Sequence, residues 1–232
     1  MGALVTYSLD DGVATIAMDD GKVNVLSLAM QSELNAALDR AEADRAVVVL
    51  AGRDGVFSAG FDLPALRAGG PDALDMLQGG FLLAERLLSF PTPVVIACTG
   101  HAIAMAVFLL LSGDYRIGAA GPHKLTANEV AIGMTLPRAA IELCRQRLTP
   151  AVFNRAVILA EVFSPDDAVA GGLLDRVAPA DELLDVARTT ASALAKLDLR
   201  AHAATKLRAR EQTLQALRAA IEADDADLRP RA

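Results

Sequence analysis

Two short, uninterrupted apolar runs limit the folds open to this chain more than any other feature. AVVVLAG spans Ala46 to Gly52, and TPVVIAC spans Thr92 to Cys98. Runs of this length, rich in β-branched residues and without polar alternation, are typical of strands buried on both faces of a sheet. Because helices must cover both faces of such a sheet, the runs predict an α/β fold with a mostly parallel sheet.

The neighbouring segments fit the same alternation. Residues 13–20, VATIAMDD, predict a strand with a polar end. Residues 27–44 predict a helix that begins at an N-cap serine and has apolar residues at helical spacing, and a second helix is expected from about Pro71 to Ser89. Ligands of such folds lie beyond the carboxyl ends of the strands. Functional residues are therefore expected in the segments that follow AVVVLAG and TPVVIAC.

From Thr149 onward the sequence predicts mainly helix. TPAVFNRAVILAE and SPDDAVAGGLLDRV each begin with a cap residue followed by proline. Leu207, Leu214, Leu217 and Ile221 are predicted to share one helix stripe used for core or subunit packing. The last residues, 222–232, have a composition typical of disorder. We divide the chain into an α/β core, residues 1–180, and a helical segment, residues 181–232, within one functional unit.

Composition disfavours several classes of function. A net charge of -7, no Trp and two Tyr argue against nucleic-acid binding. Residues 94–111 carry no formal charge and reach the lower length limit of a membrane span. However, Pro93 with VVI predicts a strand start, TGH at 99–101 predicts a break, and no basic flank is present, so no membrane association is expected.

The cysteines and histidines suggest neither a disulfide framework nor a metal site. Cys98 and Cys144 are not in a C-x-x-C pattern and are expected to be buried free thiols. Together with the lack of a secretory signal pattern, they indicate a cytoplasmic protein. His101, His123 and His202 lack metal-ligand spacing.

Two corners after the apolar runs are candidates for ligand binding by the backbone. FSAGFDL, residues 57–63, contains Gly60, which permits a sharp turn with N–H groups facing a ligand, although an ordinary turn is the alternative. In TGHAIAMAVFLLL, Gly100 permits a second turn and a helix follows, whose first N–H groups have no internal partner. Small residues such as Ala104 allow close approach, so one N–H from each corner could converge on one oxygen.

The segment LTANEVAIGM contains a single carboxylate, Glu129. It is either a solvated turn residue or an acid/base in an apolar cleft, where burial would raise its pKa. Other polar residues favour structural roles. His101 is expected to be packed or hydrogen-bonded, Asp62 to cap a helix or lie in a loop, Asp114 to pair with Arg116, and Glu142 with Arg145 to form a solvated helix face.

Four segments of the chain together resemble the crotonase superfamily, which is the enoyl-CoA hydratase/isomerase family. They are FSAGFDL, PTPVVIACTGHAIAM, SGDYRI and NEVAIGM. Two more stretches resemble segments of that family: KVNVLSLAM, residues 22–30, and FSPDDAVAGGLLDRVAP, residues 163–179. The resemblance therefore covers roughly residues 5–179 in order. It implies a crotonase-like spiral of β-β-α units with a helical C-terminal part. It also implies a homotrimer or dimer of trimers, and a coenzyme A thioester substrate without a tightly bound cofactor.

The resemblance also implies residue roles. The backbone N–H groups of Phe61 and Met105 would hold the thioester oxygen, although Ala104, Met105 and Ala106 replace the family's glycine triplet and narrow that corner. Of the two Glu positions of the hydratases, the first aligns with Phe108 and the second with Glu129. A lone Glu suits moving a proton between two carbons, so double-bond isomerisation of enoyl-CoA is favoured.

A one-Glu hydratase and a non-catalytic acyl-CoA-binding protein are the alternatives. The residues assigned to substrate binding are Lys22, Val25, Ser58, Ala59, Gly60, Asp62, Leu63, Pro64, Ala104 and Phe108. Lys22, Arg53 and Arg67 are candidates for contact with the CoA phosphates.

Overall fold

The two apolar runs form neighbouring parallel strands in the middle of a six-stranded sheet, with Val48 opposite Val94. The computed structural model describes residues 2–228. The strands are β1 Val5–Asp10, β2 Val13–Met18, β3 Val47–Ala51, β4 Gly55–Ser58, β5 Val94–Cys98, β6 Gly100–Ile103, β7 Tyr115–Ala119, β8 Leu125–Thr126 and β9 Arg176–Ala178. The larger sheet has the order β1-β2-β3-β5-β7-β9, and only its β1–β2 pair is antiparallel.

The remaining strands form a second, three-stranded parallel sheet in the order β4-β6-β8. β1 and β2 both lie in the large sheet, whereas each later pair, β3–β4, β5–β6 and β7–β8, places its first strand in the large sheet and its second in the small one, which gives the predicted β-β-α units. The sequence prediction of a single mostly parallel sheet was therefore incomplete. TGH is not a full break, because the chain changes sheets at Thr99 and continues as β6. A Cβ on Gly100 would lie 2.0 Å from the backbone of Gly55, so this crossing requires glycine.

Helices separate and cover these strands. They are α1 Leu28–Ala43, α2 Leu63–Ala68, α3 Pro71–Ser89, α4 Met105–Leu111, α5 Arg138–Arg145, α6 Pro150–Leu159, α7 Pro165–Gly171, α8 Leu183–Leu194, α9 Leu199–Ala209 and α10 Glu211–Leu228, with a 3-10 turn at Val130–Ile132. The predicted cap of α1 is confirmed, since Ser27 Oγ accepts from the N–H of Met30. Thr149 precedes α6, but its side chain makes no capping hydrogen bond.

The inner strands β3 and β5 of the larger sheet are buried on both faces, which explains the uninterrupted apolar runs. Val48 and Val94 face the main core, which also contains residues of α1, α3 and α4. Their neighbours Val47 and Val95 face the other way, toward Ala187 of α8. A helix of the predicted C-terminal segment thus covers one face of the core sheet.

The C-terminal helices differ from the prediction in two respects. Leu214, Leu217 and Ile221 are buried as α10 packs against α3 and α5, but Leu207 lies in α9 and is 46% exposed, because one helix ends before the other begins. The prediction that residues 222–228 are disordered was wrong, since α10 continues to Leu228. Asp224 anchors it by accepting hydrogen bonds from the N–H groups at the start of α5. Residues 229–232 lie outside the described part.

The predicted Asp114–Arg116 ion pair was wrong. Asp114 accepts from Lys206 Nζ at 2.7 Å and from Arg210 at 2.9 Å, which ties α9 to the sheet. Arg116 instead pairs with Asp175 at 2.8 Å. In both pairings the two partners are more than fifty residues apart in the sequence, so the local sequence around Asp114 and Arg116 does not indicate them.

Other structural predictions hold. Cys98 and Cys144 are buried free thiols. His101 Nδ1 accepts from the N–H of Lys124, and Glu142 with Arg145 forms a partly exposed pair. Residues 94–111 form β5, β6 and α4, and none of the helices within residues 2–228 combines the length and apolar character needed to cross a bilayer.

Candidate active site

The loops that follow the three strands of the small sheet enclose one cavity of about 90 Å³. The carboxyl ends of parallel strands meet at one edge of a sheet, so residues distant in sequence share this wall. Its lining residues are Ala59, Phe61, Leu63, Leu66, Leu77, Phe81, Ile103, Ala104, Phe108, Asn128, Glu129, Ile132, Met134 and Pro137. The structure thus brings the two predicted corners and Glu129 together.

Gly60 makes the contact between the two corners possible. Its φ is +82°, and a Cβ there would lie 2.7 Å from the carbonyl oxygen of Ile103 and 3.1 Å from the nitrogen of Met105. Its N–H donates to Ser58 Oγ at 3.0 Å, and its carbonyl accepts from the N–H of Leu26 at 2.8 Å. The first corner is therefore fixed on both sides and lies against the second.

Phe61 and Met105 provide one backbone N–H at each corner. Within residues 2–228, neither N–H has a hydrogen-bond acceptor in the protein. Met105 begins α4, where first-turn N–H groups lack intrahelical partners. Ala104 precedes it with φ +54°, a left-handed conformation that glycine adopts more readily, and its own N–H donates to Thr126. The two adjoining corners therefore contain two N–H donors without an acceptor among the described residues.

Glu129 is not a solvated turn residue. The residue is 7% exposed, and within the described chain its Oε2 has no hydrogen-bond partner. Burial raises the pKa of its carboxyl from the ordinary 4.5 to about 7, opposed by a weaker backbone hydrogen bond. Its carbonyl accepts from the N–H groups of Ile132 and Met134, which fixes the backbone of the segment. A carboxyl in this environment can gain and lose a proton near neutral pH.

Phe108 fills the wall where the resemblance places a second carboxylate in hydratases. It is 1% exposed, and its ring stacks on Phe81 with centroids 6.2 Å apart. Phe61 in turn meets Phe81 edge-on at 6.2 Å. Among the lining residues, only Asn128 and Glu129 have polar side chains. The cavity suits an apolar acyl group beside one titratable group.

A second chamber of about 530 Å³ shares Ala59 and Ile103 with the cavity. Its remaining lining residues are Val23, Val56, Ser58, His101, Pro122 and Lys124. The rings of His101 and His123 meet edge-on at 5.4 Å, and burial lowers the pKa of His123, with His101 lowering it further. Sequence reasoning missed Lys124, because only the pairing of β6 with β8 brings it to this chamber.

Several residues assigned to substrate or phosphate binding are not among the lining residues of either space. Lys22 and Arg67 are exposed, and Arg53 donates to the carbonyl of Lys22 and pairs with Asp19. Asp62 caps α2 by accepting from Ala65, which confirms its structural reading. Val25 is half-buried in the loop before α1, and Pro64 is exposed on α2. Ser58 lines the second chamber, while Ala59, Leu63, Ala104 and Phe108 line the cavity.

An open depression of about 470 Å³ lies against α9 and shares no lining residue with the cavity or the second chamber. Its cations Lys206 and Arg210 are paired with Asp114. Within residues 2–228, no group of three or more His, Cys, Asp or Glu side chains is placed to hold a metal ion. The smaller, enclosed cavity with its unpaired carboxyl is therefore the better candidate for chemistry.

Known proteins resemble this chain in sequence and architecture. Residues 8–229 match the family described as enoyl-CoA hydratase/isomerase. The probable enoyl-CoA hydratase echA17 of Mycobacterium avium is 29% identical over 183 residues, which are 78% of this chain and 71% of the relative.

Two solved structures cover nearly the whole chain. An enoyl-CoA hydratase, ECHA3, from Mycobacterium marinum is 50% identical, with a TM-score of 0.94 over 97% of this chain and 100% of the other. The apo enoyl-CoA isomerase of Mycobacterium tuberculosis is 49% identical, with a TM-score of 0.94 over 98% of this chain and 100% of the other. Sequence and fold agree, and the chain is an enzyme that belongs to the enoyl-CoA hydratase/isomerase family, with the crotonase fold.

Proposed function

We propose that this enzyme is an enoyl-CoA isomerase that moves a carbon–carbon double bond along the acyl chain of a coenzyme A thioester. The observation that carries the proposal is Glu129, the single carboxyl on the wall of the acyl cavity, with Phe108 where a second carboxylate would be needed to hold water as the hydratases do. The Mycobacterium tuberculosis relative is named an enoyl-CoA isomerase in one solved structure and a probable enoyl-CoA hydratase in another, so the choice between the two reactions rests on the site and not on the names.

The reaction begins with removal of a proton from the carbon between the thioester and the double bond of a 3-enoyl-CoA. The electrons pass to the thioester oxygen and give a dienolate. The N–H groups of Phe61 and Met105 bind this oxygen, and in acyl-transfer enzymes each such donor is worth about 10²–10³ in rate. Glu129 then returns the proton two carbons further along, which gives the 2-enoyl-CoA and restores the carboxylate.

The raised pKa of Glu129 suits both halves of this cycle. A pKa of about 7 leaves a useful fraction of carboxylate at neutral pH and makes the protonated form a competent donor. A positioned acid/base with a pKa near the working pH contributes about 10²–10⁴ in rate. No tightly bound cofactor is needed, because proton transfer and oxygen binding are both supplied by the chain.

The second chamber accommodates the rest of the thioester. The acyl group occupies the apolar cavity, the carbonyl lies between the corners, and the coenzyme A arm leaves past Ala59 and Ile103. Lys124 and His101 on the chamber wall then replace Lys22, Arg53 and Arg67 as the residues nearest to the phosphates. Exposed Lys124 provides the positive charge that the phosphates require.

A homotrimer, or a dimer of trimers, is part of the same proposal. Ile158, Leu159 and Val162 are 53–69% exposed at the end of α6, and α6 contacts the 3-10 turn, where Val130 and Ile132 are also exposed. Burial of such a patch against a second copy of the chain would stabilise an assembly. A cytoplasmic location stays a prediction from the two unpaired cysteines.

The test uses 3-enoyl-CoA and 2-enoyl-CoA thioesters as separate substrates, with products separated by chromatography. The wild type is expected to convert 3-enoyl-CoA into 2-enoyl-CoA, and Glu129→Gln is expected to bind the thioester without converting it. Turnover that survives in Glu129→Gln would show that Glu129 is not the base. Efficient formation of 3-hydroxyacyl-CoA without isomerisation would make the enzyme a hydratase instead.

A further inference from the structure

The acyl cavity shares part of its wall with a narrow groove between α3 and α10, which pack against each other. The groove has a volume of about 10 Å³, and each helix contributes residues spaced by three or four positions, which share one helix face. Its lining residues are Leu74, Leu77, Gln78 and Phe81 of α3, and Ile221, Asp224, Asp225 and Leu228 of α10. Leu77 and Phe81 also line the acyl cavity. These two side chains therefore form a partition between the cavity and the groove.

Phe81 is held in this partition by two other rings. It is 2% exposed, its ring stacks on Phe108 with centroids 6.2 Å apart, and the ring of Phe61 meets it edge-on at 6.2 Å. Aromatic pairs in these arrangements stabilise a core beyond the burial of their surface. Leu77 is half-buried one turn earlier on α3. Because packed interiors resist displacement, an acyl chain that reaches the partition meets a fixed wall.

The volume of the cavity indicates how much chain fits in front of this wall. An apolar cavity of about 150 Å³ accommodates benzene, which corresponds to about 25 Å³ for each carbon. At that ratio, the cavity of about 90 Å³ holds about three to four carbons. The thioester carbon lies between the two corners and adds one more. A short acyl group fills the available space.

We propose that Leu77 and Phe81 restrict the enzyme to short-chain enoyl-CoA thioesters, with acyl groups of about six carbons or fewer, by closing the acyl cavity toward the groove. The reaction named here rests on the proposed isomerase function, but the limit on length applies equally to a thioester that only binds. Leu77 and Phe81 determine specificity and take no part in the proton transfer.

The groove can receive a longer chain once the partition is opened. Leu74 on α3 and Ile221 and Leu228 on α10 give it apolar sides. Asp224 also lines it, but its carboxylate already accepts hydrogen bonds from the N–H groups at the start of α5. Leu228 is 49% exposed, so the groove reaches the protein surface. Shortening the side chain of Leu77 should therefore join the cavity to an apolar path that leads to solvent.

Binding of saturated acyl-CoA thioesters, measured by titration calorimetry, tests the limit without any turnover. Each methylene that enters an apolar site raises affinity about fourfold. Wild-type affinity should therefore rise from butanoyl-CoA to hexanoyl-CoA and level off or fall by decanoyl-CoA. In Leu77→Ala the rise should continue, so that decanoyl-CoA binds at least about tenfold more tightly than it does to wild type.

Leu74→Ala is the matched control, because it makes the same substitution at a half-buried leucine of the same helix that lines the groove but not the cavity. It should show the chain-length dependence of wild type. Leu77→Phe, which thickens the partition, should move the limit to shorter chains. Leu77→Val opens the partition less and replaces the alanine variant if that one does not fold, with the same expected direction.

Isomerisation of 3-hexenoyl-CoA and 3-decenoyl-CoA by the same variants tests the reaction separately. The ratio of kcat/KM for the longer over the shorter substrate should rise at least about tenfold in Leu77→Ala. Three results would overturn the inference: wild type that binds decanoyl-CoA more tightly than hexanoyl-CoA, an unchanged limit in the Leu77 variants, or an equal extension of the limit in Leu74→Ala. A limit in binding that depends on Leu77, in a protein that isomerises neither substrate, would support the partition and refute the proposed isomerase function.

Discussion

Replacing Glu129 with glutamine is expected to stabilise the folded protein above neutral pH while it abolishes isomerisation. The carboxyl is 7% exposed and has an unpaired oxygen within the described residues, so the folded state disfavours its charged form. Glutamine has nearly the same shape and is neutral at every pH. It therefore mimics the protonated carboxyl that the cavity prefers.

The size and the sign of the effect follow from the pKa. The pKa is about 7 in the folded state, against an ordinary 4.5. Between these values the folded protein holds a proton that the unfolded chain has lost, so wild-type stability falls as the pH rises from 4.5 to 7. The difference between 7 and 4.5, at about 1.4 kcal/mol per pH unit, gives an upper limit of about 3 kcal/mol above pH 7. Below pH 4.5 both states are protonated and the difference disappears.

Urea unfolding measures this directly, with wild type and Glu129→Gln compared at equal protein concentration. At about pH 8.5 the variant should be more stable by up to about 3 kcal/mol, equivalent to a rise of about 6–12 °C in melting temperature for a chain of this size. At about pH 4.5 the gain should fall below about 0.5 kcal/mol. Glu142→Gln, which changes a partly exposed carboxylate, should differ from wild type by less than about 1 kcal/mol at either pH.

Two results would refute this reasoning. Equal or lower stability of Glu129→Gln at high pH would mean that the folded state does not disfavour the ionised carboxylate. A gain of the same size at both pH values would mean that glutamine packs better, independently of charge.

Three other perturbations have definite expected outcomes. Phe108→Glu should raise the formation of 3-hydroxyacyl-CoA relative to isomerisation, because it adds a second carboxylate to the wall, and product analysis showing an unchanged ratio would contradict this. Asp114→Ala should destabilise the protein by about 3–5 kcal/mol in urea unfolding, since it leaves two nearly buried cations of α9 unpaired, and a loss below about 1 kcal/mol would count against the anchor. Lys124→Ala should raise the KM for CoA thioesters several-fold at low salt with kcat unchanged, and this effect on KM should shrink at high salt. Lys196→Ala, which changes an exposed lysine elsewhere, serves as the control. An equal rise in KM in both variants would argue against the phosphate contact.

The sequence predicted the parts of the fold that have strong local signals. β3 and β5 are uninterrupted apolar runs because their alternate residues face two different cores. α1 combines helical spacing with a serine cap. The small sheet had no comparable signal, since GVFS, GHAI and LT are only two to four residues long and mix polar with apolar positions. Its strands are defined by pairing between distant segments.

The site was predictable where the family resemblance marked it, and not where it depended on tertiary contact. Local chemistry left an ordinary turn open for Gly60 and a solvated turn residue for Glu129, and the family resemblance supplied their roles; the structure places Glu129 on the cavity wall and Gly60 against the second corner. Lys124 was missed because only the pairing of β6 with β8 brings it beside His101. Asn128 could not be distinguished from an ordinary turn residue, since only its burial without a partner is unusual.

The position of α8 bears on how the protein is made. One face of β3 and β5 is covered by residues near 187 and 191, long after the strands themselves have been synthesised. A nascent chain that has emerged only as far as residue 180 therefore exposes a continuous apolar sheet face, of the kind that promotes aggregation during synthesis. The boundary at 180 divides the sequence, but it does not divide the molecule into pieces that would each be soluble. The face is shielded from water only when α8 has been synthesised and packs on it. Until then, a chaperone bound to the unfinished chain would have to cover it.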